Sequence, residues 1–297
     1  MLAVWAVVVV TMPMQVPVAL AGLTIVVVPV ALVALGSSVD GAARWSRERG
    51  AVFSPGWTAV LRRHLVRTRV ARTLGVTLGL AAPVLAMARY NADTTSFSWF
   101  PDVQNHVNTI VLAGVGYAVG SVWAEVTKPR RGGAPGAAML APRRVGDYLD
   151  PNVSWALFCF AVLAGVAVGV GAVVATGEPG TAAVDWIAPG SAAVVAAGAM
   201  FAVWWCCRRR ERAADDAALA YEELTRTATV NALAGTAVAM LGQVAATVPA
   251  PAGGPTWLWW LRLPLGLASF AGVSIWIGSG TKLVFRSRRI DALRAAA

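Results

Sequence analysis

Six long apolar stretches divide this chain, and each is long enough to cross a lipid bilayer. They cover residues 73–90, 106–124, 153–176, 186–206, 228–248 and 257–279. A transmembrane α-helix needs about 20 apolar residues to cross the hydrocarbon core. Only 13% of the residues are charged, whereas a soluble domain has roughly a quarter. The sequence therefore predicts an all-α, polytopic transmembrane helix bundle.

The basic residues lie on alternate connections between these stretches. Of the 25 lysines and arginines, 23 lie in residues 40–72, 125–152, 207–227 and 280–297. The other connections contain none, and they are residues 91–105, 177–185 and 249–256. Connections rich in Lys and Arg stay in the cytoplasm. We therefore expect the basic segments and the C-terminus to be cytoplasmic, with the chain in the plasma (inner) membrane of a bacterium.

The first 36 residues are apolar almost without interruption, which corresponds to about 54 Å of helix at about 1.5 Å per residue. Either one tilted span follows an N-terminal extension, or two spans form a hairpin that turns near Gln15. A signal peptide is disfavoured, because no basic region precedes the apolar run and no polar segment follows a cleavage site.

A short internal repeat favours the hairpin. The sequence Ala113–Ser121 reappears in part as Ala271–Ser279. A real duplication gives four spans in each half, which makes eight spans, a cytoplasmic N-terminus and two tandem parallel repeats. We predict a first transmembrane repeat over residues 1–131, a cytoplasmic linker over 132–152 and a second repeat over 153–297.

Residues 54–72 have the pattern of a basic amphipathic helix, in which Trp57, Leu61 and Leu65 recur every four residues. Such a helix lies at the membrane interface, where its arginines contact anionic lipid headgroups. The alternative is a docking helix for a separate cytoplasmic partner protein. The arginines of this predicted lipid interface are Arg62, Arg63, Arg67, Arg69 and Arg72.

Segment 207–227 contains five acidic residues, and four of them form two pairs, Asp215-Asp216 and Glu222-Glu223. One hypothesis is that these carboxylates face arginines of the first half and help to dock the two halves. The other is a solvated helix of mixed charge, because exposed ion pairs contribute little to stability.

Few polar residues lie within the apolar stretches. No Asp, Glu, His or Lys lies at their mid-depth, which disfavours a simple proton antiporter or pump. The candidates for a ligand site or an outward vestibule are Arg89, Arg262, Asn231 and Gln243. The alternatives are arginines that reach the headgroups and amides that bond between helices.

Three Gly-x-x-x-Gly patterns predict close helix packing, within a compact bundle or between the copies of a homodimer. They are Gly75 with Gly79, Gly116 with Gly120, and Gly165 with Gly169.

Signatures of enzymes and cofactors are absent from the sequence. His64 and His106, the only histidines, are predicted on opposite sides of the membrane, and no P-loop or hydrolase motif is present. We therefore predict no catalytic, cofactor or metal site, and no nucleic-acid partner. Two functions stay open. One is a permease-like transport component without its own ATPase, and the other is a non-transporting scaffold, sensor or regulatory subunit that acts through its cytoplasmic helices.

Overall fold

A computed structural model describes residues 39–90, 103–128, 144–175, 187–209, 216–247 and 271–272. This part of the chain is all-helical and contains no strand, so the all-α prediction is confirmed. A 3-10 turn, Val145–Asp147, precedes the fourth helix. The α-helices are α1 (Val39–Glu48), α2 (Pro55–Tyr90), α3 (Val103–Val126), α4 (Pro151–Ala175), α5 (Ile187–Arg208) and α6 (Asp216–Ala246).

Within the described residues, three helical segments are long and apolar enough to cross a membrane, which agrees with the prediction of a membrane protein. They are Pro151–Val173, Pro189–Arg208 and Ala217–Ala246, and a shorter apolar helix covers Ile110–Val126. Residues 1–36 lie outside the described residues, and so does most of the predicted span 257–279. The eight spans, the four-plus-four repeat and its boundaries therefore stay predictions.

Helix α2 contains both the basic segment and the first of the six predicted spans in one continuous helix of 36 residues. Pro55 stands at its first position, where its missing N–H costs nothing and its fixed φ suits the helix. The basic segment 54–72 is thus the N-terminal half of the helix that carries the predicted span 73–90.

Helices α2 and α3 form an antiparallel pair that has glycines on both sides. A Cβ built on Gly75 would overlap the carbonyl oxygen of Gly116. A Cβ on Gly79 would overlap the backbone of α3, and one on Gly120 would overlap the backbone of α2. The two backbones therefore approach to a distance at which only glycine fits.

The third glycine pair has different surroundings. Gly165 and Gly169 are exposed on α4, and a Cβ built on either meets no atom within 4 Å. The same sequence pattern thus corresponds to a tight helix contact in α2 and α3 and to an open helix face in α4.

Helix α6 lies at the centre of the bundle and contacts α3, α4 and α5. Of its 18-residue apolar window, 89% is buried. Small neighbours allow this position, because alanines such as Ala164, Ala196 and Ala199 pack in the core cluster around it. Because most of this window is shielded from water, its buried polar side chains need partners within the protein.

Contacts between helix ends bring two of the basic segments, 125–152 and 207–227, to one end of the bundle. Lys128, just after α3, contacts Glu222 in the first turns of α6. Arg209, just after α5, donates to the backbone oxygen of Glu125 near the end of α3. The hydroxyl of Tyr148, before α4, donates to the carboxylate of Glu223, the residue that follows Glu222. We call this end the basic end.

Candidate functional site

The basic end of the bundle contains charged side chains that are buried. Glu125 is 2% exposed, Lys128 6%, Glu223 0% and Arg226 1%. The side chain of Glu222 is 25% exposed. Removing a charge from water costs several kcal/mol unless a partner compensates for it. We call these five residues the ionic cluster, and the positions of their neighbours show how the charges are held.

Lys128 lies at the centre of the ionic cluster. Its Nζ donates to Glu222 Oε2 at 2.9 Å and to Thr225 Oγ1. Glu125 Oε1 lies 3.7 Å from the same nitrogen. The ammonium also lies 4.9 Å from the centroid of the Tyr221 ring, within the range of a cation–π interaction. Oxygen atoms and an aromatic face therefore surround this ammonium, mostly from α6.

The carboxylate of Glu125 is only partly used. Its Oε1 faces Lys128, but its buried Oε2 has no hydrogen-bond partner among the residues that the structure describes. A buried carboxylate oxygen without a donor is costly, so its retention calls for an explanation. This oxygen gives the ionic cluster the capacity to accept one more hydrogen bond.

A second part of the ionic cluster surrounds Tyr148. Its hydroxyl donates to Glu223 Oε1 at 3.4 Å, and the Arg226 guanidinium lies 5.9 Å from its ring centroid. Tyr148 is itself 1% exposed. The residues before α4 thus also contact the ionic cluster, through the hydroxyl and the ring of Tyr148.

Asn231, predicted as a ligand candidate, has its amide occupied by main chain. Its Nδ2 donates to the carbonyl oxygens of Tyr148 at 2.7 Å and Thr227 at 2.9 Å. Its Oδ1 accepts from the backbone N–H of Asp150 at 2.9 Å. These bonds hold the start of α4 against α6. Because both amide hydrogens are already donated, the side chain has no N–H left to donate to a ligand.

Aromatic side chains cover the ionic cluster from the side of α2. The rings of Trp57 and Tyr221 lie 5.7 Å apart, and His64 meets the Tyr221 ring edge-on at 5.8 Å. The Nε2 atom of His64 is 3.3 Å from Thr68 Oγ1. Helix α2 therefore shields Tyr221, and with it Lys128, from water.

The burial of His64 leads us to expect that the folded protein loses stability in mild acid. Burial lowers the pKa of His64 well below its usual 6.5, and the charges of Lys128, Arg72 and Arg67 lower it further. In the unfolded chain this imidazole takes up a proton below about pH 6.5, whereas in the folded chain it stays neutral. The contribution of His64 to the free energy of unfolding is therefore fully present above that pH and is lost as the pH falls below it. We expect the free energy of unfolding to fall by up to about 1.4 kcal/mol per pH unit.

The measurement is thermal or denaturant unfolding between pH 7.5 and 5.5, on the native chain and on His64→Gln. Glutamine keeps a polar group near Thr68 but has no proton to gain in this range. The native chain should lose stability more steeply than the variant. If stability falls equally steeply with pH in both proteins, the pKa of His64 is not lowered in the folded state.

A stripe of polar side chains continues from the ionic cluster along α6. Its members are Glu222, Thr225, Thr229, Thr236 and Gln243. Residues seven apart lie on the same face of a helix, since seven residues make about two turns. Met240 shares this face, and its side chain reaches Gly114 of α3. The stripe therefore runs along the side of α6 that meets α3.

The hydroxyl groups of the polar stripe are committed to acting as acceptors. Thr225 donates its proton to the carbonyl oxygen of Tyr221 at 2.8 Å, and Thr229 donates to that of Thr225 at 3.1 Å. Thr236 does the same with Ala232 at 3.0 Å. A hydroxyl has one proton and two lone pairs. Once the proton is used within the helix, each oxygen can only accept from a neighbour.

The other three predicted ligand residues are Gln243, Arg89 and Arg262. Gln243 lies on the polar stripe and is buried. Arg89 is in the last turn of α2, and only its backbone is described; Arg262 lies outside the described residues. The arrangement therefore brings one of the four ligand candidates, Gln243, onto the face that meets α3.

The five arginines of the predicted lipid interface do not share one environment. Arg62, Arg63 and Arg69 are exposed, whereas Arg67 and Arg72 are half-buried. Arg72 donates from Nε to Ser121 Oγ at 2.9 Å, and its guanidinium lies over the ring of Tyr117. Lipid contact stays a prediction for the exposed three, and retention of anionic lipid through purification would measure it.

The ionic cluster is the feature that sequence reasoning missed in part. The sequence suggests that acidic residues of segment 207–227 face arginines of the first half. Glu222 does contact the first half, but the cation that it pairs with is Lys128. Asp215 lies outside the described residues. One signal was available: Lys128 is one of two lysines among 25 basic residues.

Comparisons with known proteins give no match. No protein-family model matches the chain, and neither a curated protein nor a solved structure does so. Within the part of the chain that the structure describes, no group of three or more His, Cys, Asp or Glu side chains could hold a metal ion. The class is thus defined by the fold and the site: an all-helical membrane protein with a buried ionic cluster at one end.

Proposed function

We propose that this chain is a permease-like transport component of the plasma membrane, without enzymatic activity or an ATPase of its own. Its translocation path would lie between α3 and α6. The observation that carries the proposal is the polar stripe, which is buried along the central helix and leads into the ionic cluster. Polar and ionisable groups inside a membrane bundle are costly, and they commonly mark the route of a substrate or ion.

The position of the stripe supports a path between two groups of helices. Helices α2 and α3 belong to the predicted first half, and α4, α5 and α6 belong to the predicted second half. The stripe faces across this boundary toward α3, as the contact of Met240 with Gly114 indicates. A path at such a boundary opens when one group of helices moves against the other. By the positive-inside rule, the ionic cluster would then lie at the cytoplasmic end of the path.

The chemistry of the stripe supports a route more than it supports simple helix adhesion. Intramembrane Thr and Gln often bond from helix to helix. Here the hydroxyls of Thr229 and Thr236 donate to carbonyl oxygens of their own helix. Their oxygens keep free acceptor capacity toward α3, which a cation or water could use.

The second candidate function is a non-transporting scaffold, sensor or regulatory subunit. The observation that favours it is the bond between Lys128 and Glu222, which ties the end of α3 to the start of α6. The exposed arginines Arg62, Arg63 and Arg69 of α2 would then contact a cytoplasmic partner. A protein of this kind moves no solute.

The test is reconstitution into liposomes and measurement of currents on a solid-supported membrane after jumps of K⁺, Na⁺, methylammonium, phosphate or an amino acid. Thr229→Val and Thr236→Val remove the acceptor oxygens and keep the side-chain shape. We expect a solute-dependent signal in the native chain and a loss of about tenfold in both variants, since a hydrogen bond to a charged group contributes about 1.5–3 kcal/mol.

Thr77→Val is the matched control. Thr77 is buried and also donates to a carbonyl oxygen of its own helix, at 2.9 Å, but it lies on α2, away from the polar stripe. Its variant should transport like the native chain. An absence of any signal from the native chain would favour the scaffold function. An equal loss in all three variants would remove the stripe from the path.

A further inference from the structure

We propose that Tyr221, Glu222, Thr225 and Glu125 form a binding site for primary ammonium cations, and that Lys128 occupies this site as a tethered competitor. These four residues are called the ammonium cage below. The inference rests on the proposed function, because it names the substrate class of the same path.

The contacts of Lys128 show what the ammonium cage recognises. A primary ammonium has three N–H donors and no acceptor. Glu222 Oε2 at 2.9 Å and Thr225 Oγ1 accept two of them, and the Glu125 carboxylate lies close to the third. The Tyr221 ring, 4.9 Å away, faces the charge. Carboxylates, a hydroxyl acceptor and an aromatic face together are suited to an organic ammonium group.

The walls of the ammonium cage do not depend on Lys128 for their positions. Tyr221, Glu222 and Thr225 belong to consecutive turns of α6, whose hydroxyl-to-carbonyl bond from Thr225 to Tyr221 is internal to the helix. Lys128 enters from the end of α3 on a flexible stem of four carbons. If the stem withdraws, the three walls on α6 stay in place and a free ammonium can take the position of Nζ.

The donor set favours ammonium over divalent metal ions. Mg²⁺ and Ca²⁺ take about six or more oxygen ligands, whereas the ammonium cage has two carboxylates, one hydroxyl and an aromatic ring. The carboxylate of Glu222 lies 2.9 Å from the bound nitrogen. That distance is typical of a charged N–H···O bond. Glu125 Oε2, which has no hydrogen-bond partner among the described residues, adds acceptor capacity to one member of the ammonium cage.

Exchange between Lys128 and a ligand would leave the charge of the ammonium cage unchanged. One monovalent cation replaces another, so neither Glu125 nor Glu222 is left buried without a counter-charge, a state that is strongly destabilising. The ammonium cage also lies where the polar stripe begins, at Glu222. Lys128 would therefore close the path at the basic end when no ligand is present.

The scarcity of lysine gives a direct test. Lys128 and Lys282 are the only lysines in the chain, so protein made with [ε-¹³C]lysine shows two Cε signals, which Lys282→Arg assigns. Propylammonium chloride is titrated into the detergent-solubilised native chain, with tetramethylammonium chloride as the control because it has no N–H donor. We expect a saturable shift of the Lys128 signal with propylammonium only, and no shift of Lys282.

A second measurement uses Lys128→Ala, which empties the ammonium cage. Propylammonium should raise the unfolding temperature of this variant, and tetramethylammonium should not. The double variant Lys128→Ala/Glu222→Gln should lose most of this stabilisation, while Lys128→Ala/Glu48→Gln, changed at an exposed glutamate, should keep it. If Lys128→Ala does not fold, the titration of the native chain alone decides.

Three outcomes would overturn the inference: no shift of Lys128, an equal shift with tetramethylammonium, or an equal shift with K⁺, which would assign the site to inorganic cations. The assay needs no transport, so it is separable from the proposed function. Ammonium binding without any flux would support the ammonium cage and contradict the permease. Flux without ammonium binding would support the permease and contradict the ammonium cage.

Discussion

Replacing Lys128 with methionine should destabilise the protein by about 3 kcal/mol or more, because removing one partner of a buried ion pair leaves the other charge uncompensated. Methionine keeps the length of the side chain, so packing changes little. The carboxylates of Glu125 and Glu222 would then lack the cation between them, and Glu125 is almost completely buried. The measurement is reversible unfolding in mixed micelles, followed by tryptophan fluorescence.

Two further variants give this result its meaning. Lys128→Met/Glu222→Gln should recover part of the lost stability, since it removes a negative charge that has lost its partner. Arg208→Met is the matched control: Arg208 is exposed on the last turn of α5, and its loss should cost less than about 1 kcal/mol. If Lys128→Met costs as little as Arg208→Met, the ionic cluster is in contact with water.

Replacing Gly75 with leucine should separate α2 from α3 and cost more than about 3 kcal/mol, the upper range for overpacking. The reason is that even a Cβ at this position would overlap the carbonyl oxygen of Gly116. A backbone atom cannot rotate aside as a flexible side chain can. Gly116→Leu should have the same effect from the opposite helix. Unfolding temperature and the yield of monodisperse protein are the readouts.

Gly165→Leu is the control for this substitution. It lies in the same kind of Gly-x-x-x-Gly pattern, but a Cβ built there meets no atom within 4 Å. We expect its stability to stay within about 0.5 kcal/mol of the native chain, as for a surface change. Equal destabilisation by Gly75→Leu and Gly165→Leu would mean that the close approach of α2 and α3 is not a feature of the folded protein.

The pairing of Arg72 with Ser121 shows what a local sequence pattern can predict about a residue and what it cannot. In the sequence, Arg72 continues a row of arginines that begins at Arg62, and the row as a whole is typical of a basic helix at a membrane surface. In the fold, Arg72 is far enough along α2 to meet α3, and its guanidinium donates across that contact. A helical pattern predicts which face a residue occupies, but it does not say where along the helix a neighbour begins.

The ionic cluster was beyond reach of the sequence for a related reason. Lys128 and Glu222 are separated by 94 positions, and each lies in a segment whose local composition is typical of a solvated connection. Their burial depends on α6 beginning at Asp216, before the apolar stretch at 228, and on its first turns lying against the end of α3. Only the relative placement of two helices produces that contact.

What the sequence alone determined is the class of protein. Apolar runs of bilayer length must be helical, because lipid offers no partner for backbone N–H and C=O groups. The alternation of basic segments predicts in turn which connections are cytoplasmic. The tertiary structure decided which of the three glycine pairs form a helix contact and which of the described basic residues are buried. Those outcomes depend on distances between segments far apart in the chain, and local periodicity contains no information about such distances.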